Sequence, residues 1–477
     1  MDFSFRHSVI QYGKIMKSET ENDRVYAMTL LERLGLHRPV LRAWAMYEWA
    51  ITGMWAVVVA TIFPIYFQTV LSGDLPGHIA TRNFAWATTM GIAIVAVIAP
   101  FMGAITDRLP IKKLLLGIFT AIGVLASVSL YFVSEGNWFL ALAVFVLINV
   151  GANGSTVFYD ALLPHIASNK EIDRVSTGGF AMGYLGAGLL LAFCLLMIQQ
   201  PGWFGLDGDP TLPVRLSFVG VGIWWALFAI PIFRWVPEPL PKLDPNEVLV
   251  GGALRQASNR LARTMRELRS YRNAFLLLLA YFVYGDGLGT IIRMAAIYGA
   301  ELGIDRGALI GAVVMVQFVG VPFTFLFGEL AGRLGTKRAI YVGLFIYTIV
   351  SVLGYYMTTA VHFFILAFLV GMVQGGVQAL SRSLFAGMIP RYKSGEFFGF
   401  YGVIDKFAGV MGPTVMASVI TMTGSSRFGI LSIILFFVVG GMLLYFVDEK
   451  EGRRVAAAVQ AMALPDPEAE PIFQRDV

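Results

Sequence analysis

The stretch Gly103-Ala104-Ile105-Thr106-Asp107-Arg108-Leu109-Pro110-Ile111-Lys112-Lys113 returns 225 positions later as Gly328-Glu329-Leu330-Ala331-Gly332-Arg333-Leu334-Gly335-Thr336-Lys337-Arg338. Gly103, Arg108, Lys112 and Lys113 thereby meet Gly328, Arg333, Lys337 and Arg338, and each copy sits between two long apolar runs. Further echoes keep that offset to within one residue: Leu163-Pro164 with Ile389-Pro390, and Gly183 and Gly186 with Gly409 and Gly412. A separation held over about eighty positions marks two copies of one unit.

Composition says what the unit is made of. Of the 477 residues 57% are hydrophobic and 14% charged, against about 25% charged in an ordinary soluble chain, and the mean hydropathy is +0.70. Most of the surface is therefore expected to face lipid. A helix needs about 20 mainly apolar residues to cross roughly 30 Å of hydrocarbon, and twelve runs qualify, near 43–67, 83–105, 114–133, 138–158, 177–199, 214–233, 274–298, 308–330, 339–357, 361–385, 397–422 and 428–447. Their all-round apolarity excludes the alternation of a membrane barrel, and open sheet edges cannot lie in hydrocarbon. The reading is an all-α integral membrane protein of twelve transmembrane helices. Two pseudo-symmetric six-helix halves related by an axis along the membrane normal are the major facilitator fold.

The segments follow: a cytosolic N-terminal part (1–42), a first half (43–233), a linker (234–273), a second half (274–447) and a tail (448–477) expected to be disordered, being acidic and Pro-containing toward its end. The linker begins Pro-rich and continues with Leu254, Ala257, Leu261, Met265 and Leu268 at helical spacing, flanked by arginines. That pattern predicts an amphipathic helix, lying either on anionic lipid at the cytosolic face or in solvent. A second interfacial helix is expected over 25–36. Of the 36 lysines and arginines, four fall in loops at one end (Arg82, Arg215, Arg306, Arg427) and two inside spans (Arg293, Lys406), while the rest gather at the end holding both termini. The positive-inside rule then makes both termini cytosolic in the cell inner (plasma) membrane.

That topological use of the net charge of +5 leaves no case for nucleic acid. One cysteine, Cys194, and five scattered histidines give neither an internal disulfide nor a metal spacing. No cofactor is expected: there is no phosphate-cradling loop, no His-Glu-x-x-His and no nucleophile elbow. An enzyme is a poor fit, and nothing implies an oligomer.

The loop from Gly103 to Lys113 resembles the signature between spans two and three of the major facilitators. Asp107, Arg108, Lys112 and Lys113, with Arg333, Lys337 and Arg338 in the second copy, are expected to form a latch at the cytosolic surface. There an acid suits a helix N-terminus and bases suit C-terminal carbonyls. The second copy has Gly332 in place of Asp107 and is the weaker latch. A closer resemblance rests on Ala43-Trp44-Ala45-Met46-Tyr47-Glu48-Trp49-Ala50, Tyr159-Asp160-Ala161-Leu162-Leu163-Pro164-His165, Tyr284-Gly285-Asp286-Gly287, Gln378-Ala379-Leu380-Ser381-Arg382-Ser383-Leu384-Phe385 and Glu396-Phe397-Phe398-Gly399-Phe400-Tyr401 with Lys406-Phe407. Together these look like the autophagy-related vacuole-effluxer family, whose bacterial members are called the UMF type. The resemblance spans about residues 40–450. It implies twelve spans and movement of small solutes, and the fungal members are linked to amino-acid efflux. Glu48 and Ile51 stand where the family pattern has Asp and Asn.

Ionisable groups inside a bilayer face the interior and mark pathways. Asp286 lies roughly 18 Å into span seven at 1.5 Å per residue, with Arg293 seven residues on; Lys406 lies roughly 14 Å into span eleven, and Glu48 is shallower in span one. Asn149 and Asn153 in span four and Gln374 and Gln378 in span ten form two amide pairs, each four residues apart. These eight residues are the expected substrate and coupling groups, the amides serving either a zwitterion or polyol or else helix–helix packing. Asp286 is expected to carry the coupling proton, with Arg293 or Lys406 as its counter-ion. Asp160 and Arg382, ending spans four and ten, are expected gate residues. The reading is a secondary transporter of a small-molecule substrate, an amino acid or similar polar solute, driven by protons through alternating access. The alternatives are an exporter of amphiphiles or lipids and a non-transporting receptor of the same fold.

Overall fold

The computed structural model describes residues 29–73, 75, 77–107, 109–240, 268–269, 271–304, 306–407 and 411–462. Eleven of its helices are long and apolar enough to cross a membrane. In chain order the spans are Pro39–Leu71, Gly77–Thr106, Lys112–Ser129, Trp138–Ile166, Ile172–Gln199, Leu212–Trp235, Arg272–Glu301, Arg306–Leu334, Thr336–Tyr355 and Ala360–Gly387 for one to ten. Span eleven is described as two shorter helices, Ser394–Phe407 and Met411–Thr423, and span twelve runs Ser426–Tyr445.

Span one opens on Pro39, at a position where a helix has no intrahelical use for the missing amide. It widens into π turns at Trp55–Thr61 and Phe67–Leu71, on either side of Pro64, where the ladder lacks a donor. A short helix, Leu30–Arg33, precedes it, closed by a capping box between Thr29 and Glu32.

Both halves close in the same way at the end carrying the termini, called here the basic end. The amides of Lys112 and Lys113, starting span three, donate to Glu238 beyond span six at 2.6 and 2.9 Å, and Lys113 Nζ donates to the carbonyls of Phe233 and Val236 at the end of span six. In the second half Lys337 donates from its amide to Glu449 at 3.4 Å and from Nζ to the carbonyls of Tyr445 and Val447. Lys113 is thus the structural counterpart of Lys337. The loop of the second copy is one residue shorter than the first, so the pairing of Lys112 with Lys337 drawn from the sequence shifts by one.

The halves meet along span five against span eight, and span two against the first segment of span eleven. Backbone closeness sets the second contact: a Cβ on Gly103 would run into the Gly395 carbonyl.

The tail differs from its expectation. Glu449–Met462 is a helix, its first turn capped by Asp448, which accepts from the Glu451 amide at 3.0 Å, and laced by Arg453–Glu449 and Arg454–Glu451 pairs. Buried Gly452 and Ala456 seat it on the bundle, with Gly452 against Met388 and Asn273. Local capping and ion pairing outweigh the acidic composition here. Residues 463–477, the stripe from Leu254 to Met265 and residues 25–28 lie outside the described residues.

Candidate functional site

Arg382, from span ten of the second half, ends among side chains of the first half. Its Nη1 donates to Asp160 Oδ1 at 2.9 Å and lies 3.4 Å from Glu48 Oε2. Nε donates to the Ser176 hydroxyl at 3.0 Å and Nη2 to the Ser176 carbonyl at 3.2 Å. The guanidinium stacks near Phe180, Trp44 and Tyr159, with its carbon 4.3, 5.0 and 5.7 Å from the ring centroids. Trp44 and Tyr159 stack on each other at 4.5 Å. Arg382 is 3% exposed and both carboxylates are 7% exposed. Removing one partner of such a cluster costs about 3–5 kcal/mol, because a buried charge is left behind.

Glu48 and Asp160 are therefore neighbours. Glu48 is the tenth residue of span one, deeper than its sequence position suggested, because the helix begins at Pro39. The grouping of Glu48 with the substrate residues and of Asp160 and Arg382 with the gate does not survive as a division in space.

Nearer the basic end, Asp107 accepts from the amides of Gly395 and Glu396, the first turn of span eleven, at 2.9 and 2.8 Å, while Lys112 Nζ donates to it at 2.6 Å. Asp107 is 4% exposed and Lys112 3%. A carboxylate at a helix start is favoured by both the free amides and the dipole. His165 Nε2 lies 2.9 Å from Ser394 Oγ, which donates to the Ala161 carbonyl. Arg333 is exposed and pairs with Glu329 at 3.0 Å in its own helix, and Arg338 is exposed. Arg108 lies outside the described residues.

Asp286 stands apart from the Arg382 cluster. It is fully buried; Oδ2 accepts from the Gly412 amide in span eleven at 2.6 Å, and Oδ1 has no hydrogen-bond partner among the described residues. Gly412 is required by closeness, since a Cβ there would meet Thr290. Arg293 is exposed, with its guanidinium 2.8 Å from where a Cβ on Gly289 would stand. Lys406 falls in span eleven, and its side chain lies outside the described residues. The amides of Asn149 and Asn153 donate back to the carbonyls of Phe145 and Asn149, at 2.9 and 2.8 Å, leaving Asn153 Oδ1 unpartnered beside a cavity of about 30 Å³ that Asp160 also lines. Gln374 and Gln378 are half-buried and lie in the other half.

Sequence reasoning missed Ser176 and Phe180, whose residue types carry no signal in an apolar helix. It also missed Asp173, which accepts from Ser383 at 2.5 Å and Thr336 at 2.7 Å across the seam and lies 3.8 Å from Arg453 of the C-terminal helix. Arg453 donates onward to the Asn169 carbonyl at 3.0 Å.

Twelve spans in two repeated halves, joined by breakable charged contacts at one end, define a major facilitator transporter. Solved structures of that fold agree: the human organic anion transporter MFSD10, with TM-score 0.66, 16% identity and coverage of 85% of this chain and 99% of that one, and the proton:xylose symporter XylE, with TM-score 0.67, 12% identity and coverage of 88% and 98%. Residues 75–457 match the family model described as "Vacuole effluxer Atg22 like", and the chain belongs to that family. Its relatives include the uncharacterized MFS-type transporter YxiO of Bacillus subtilis, 36% identical over 424 residues, covering 87% of this chain and 96% of that protein. Autophagy-related protein 22-1 of Aspergillus niger is 25% identical over 309 residues, covering 61% of this chain and 49% of the fungal protein. The chain is a multi-pass membrane transporter.

Proposed function

We propose that this transporter is a secondary carrier of a small polar solute, an amino acid or similar zwitterion, working by alternating access and coupled to protons. Its basic end faces the cytosol, by the positive-inside rule, in the cell inner (plasma) membrane. The observation carrying this reading is the Arg382 cluster. When the halves part at the basic end, a buried cation leaves with one half and two carboxylates stay with the other. A zwitterion offers a carboxylate to the first and an ammonium to the second, so it lowers the cost of opening as an uncharged amphiphile does not. The latch of Asp107 and Lys112 on span eleven holds the same end shut, while Lys337 braces its own half.

Asp286 is the coupling group. It is buried in span seven with one oxygen free of hydrogen bonds among the described residues, and its charge governs the bond to Gly412. Protonation removes a charge-assisted hydrogen bond and frees span eleven to move against span seven. The test is flux into liposomes with and without an imposed pH gradient. Wild-type protein accumulates a labelled amino acid only with the gradient. Asp286→Asn loses accumulation, falling to the gradient-free level, yet keeps exchange of labelled for unlabelled solute. Accumulation by the Asn variant at the wild-type level makes Asp286 structural.

A further inference from the structure

Among the described residues, the hydrogen-bond, ion-pair and ring partners of Arg382 belong to the opposite half: Glu48, Asp160, Ser176, Trp44, Tyr159 and Phe180. The two halves are joined here as a plug and a socket rather than by interleaved charges. The groups of the socket sit on the first half, with the Ser176 hydroxyl also held by the Ala379 carbonyl of span ten. It holds two carboxylates on one edge, a hydroxyl and a carbonyl on the other, and aromatic faces around the plane. That donor–acceptor layout matches a guanidinium, whose N–H groups radiate in one plane while its faces stack. Aromatic faces with acids at the rim are also how proteins hold organic cations in general.

We infer that the first-half socket is a binding site for a free organic cation, a guanidinium or primary ammonium, for which Arg382 is the tethered internal competitor. While the basic end is closed the socket is filled from within. When it opens, Arg382 withdraws and a solute carrying a basic group takes its place, so that neither carboxylate is left bare. Ser176 is the positioning residue. By engaging Nε and Nη2 it turns Nη1 toward the carboxylates, and it donates its own proton to the Ala379 carbonyl at 2.8 Å. This deepens the zwitterion reading by assigning the cationic end of the solute to the first half, but it stands or falls on binding alone.

The experiment is chemical rescue. Arg382→Ala in detergent leaves the socket empty and lowers the thermal midpoint. Methylguanidinium, titrated against sodium chloride at equal ionic strength, raises the midpoint again with saturation. Adding Glu48→Gln to Arg382→Ala weakens that rescue at least tenfold, equal to about 1.4 kcal/mol. Midpoints that respond equally to sodium and methylguanidinium, or rescue indifferent to Glu48, overturn the proposal. Should the Arg382→Ala protein not fold, the otherwise unaltered socket gives the second reading. Spin labels at Asn169→Cys and Tyr392→Cys, in a Cys194→Ser background, report the distance across the seam. Methylguanidinium widens it and sodium does not; a distance unmoved by both overturns the proposal. None of these readouts uses transport, so a failure of proton coupling or of the amino-acid assignment leaves them unaffected.

Discussion

The two copies of the loop between the second and third spans of each half solve one problem with opposite placements of charge. In the first, the acid is on the loop: Asp107 reaches across the seam to the amides starting span eleven, with Lys112 beside it. In the second, Gly332 stands there against Arg174, and the acid has moved to the other side of the seam. Asp173, starting span five, accepts from Thr336 in the loop and from Ser383. One clasp is sealed by backbone amides and a buried lysine, the other by hydroxyls and a half-exposed network ending on Arg453. A duplicated fold therefore fixes where the halves touch without fixing which side supplies the charge.

Three substitutions test that contrast. Asp107→Asn has the largest expected effect, because it strands Lys112 without its partner. The closed basic end should lose about 3–5 kcal/mol, shifting populations more than a hundredfold. Cysteine labelling of seam positions from the cytosolic side should rise accordingly while membrane insertion stays intact. Unchanged labelling would reduce the loop to a topology signal. Asp173→Asn breaks the second clasp, where two hydroxyl donors to a carboxylate contribute about 1–2 kcal/mol; labelling should rise roughly tenfold. An effect equal to that of Asp107→Asn would erase the distinction between the clasps. Gly332→Asp restores the acid to the second loop, 3.2 Å from Arg174 where its Cβ would stand. It should stabilise the closed end by less than about 1 kcal/mol, seen as a small rise in thermal midpoint. A fall would mean that the new carboxylate disturbs the contacts Arg174 already makes.

The pattern of the fold was legible because long apolar runs, a charge bias and a fixed repeat offset are all one-dimensional signals. Glu48, Asp160, Asp286 and Arg382 were legible singly, each a charge in an apolar helix. Their grouping was not. Spacing along a helix gives its face but not which of twelve helices it faces, so Glu48 and Asp160 were separated from each other, and the Gly412 amide was not foreseen as a partner of Asp286. Backbone partners leave no trace in composition, so Asp107 was legible as an acid for a helix N-terminus but not as the cap of span eleven. The tail misled for another reason: acidity and proline further along masked a capping Asp448 and the i,i+4 pair Glu449–Arg453, which were readable locally.

The paired locks at Lys113 with Glu238, and Lys337 with Glu449, have a mechanical consequence. Each ties the start of a third span to the end of a sixth span, so neither half can splay at the basic end without breaking a lysine from two carbonyls. A displacement of the third span in either half therefore carries the end of the sixth with it, and the load passes to the clasps along the seam.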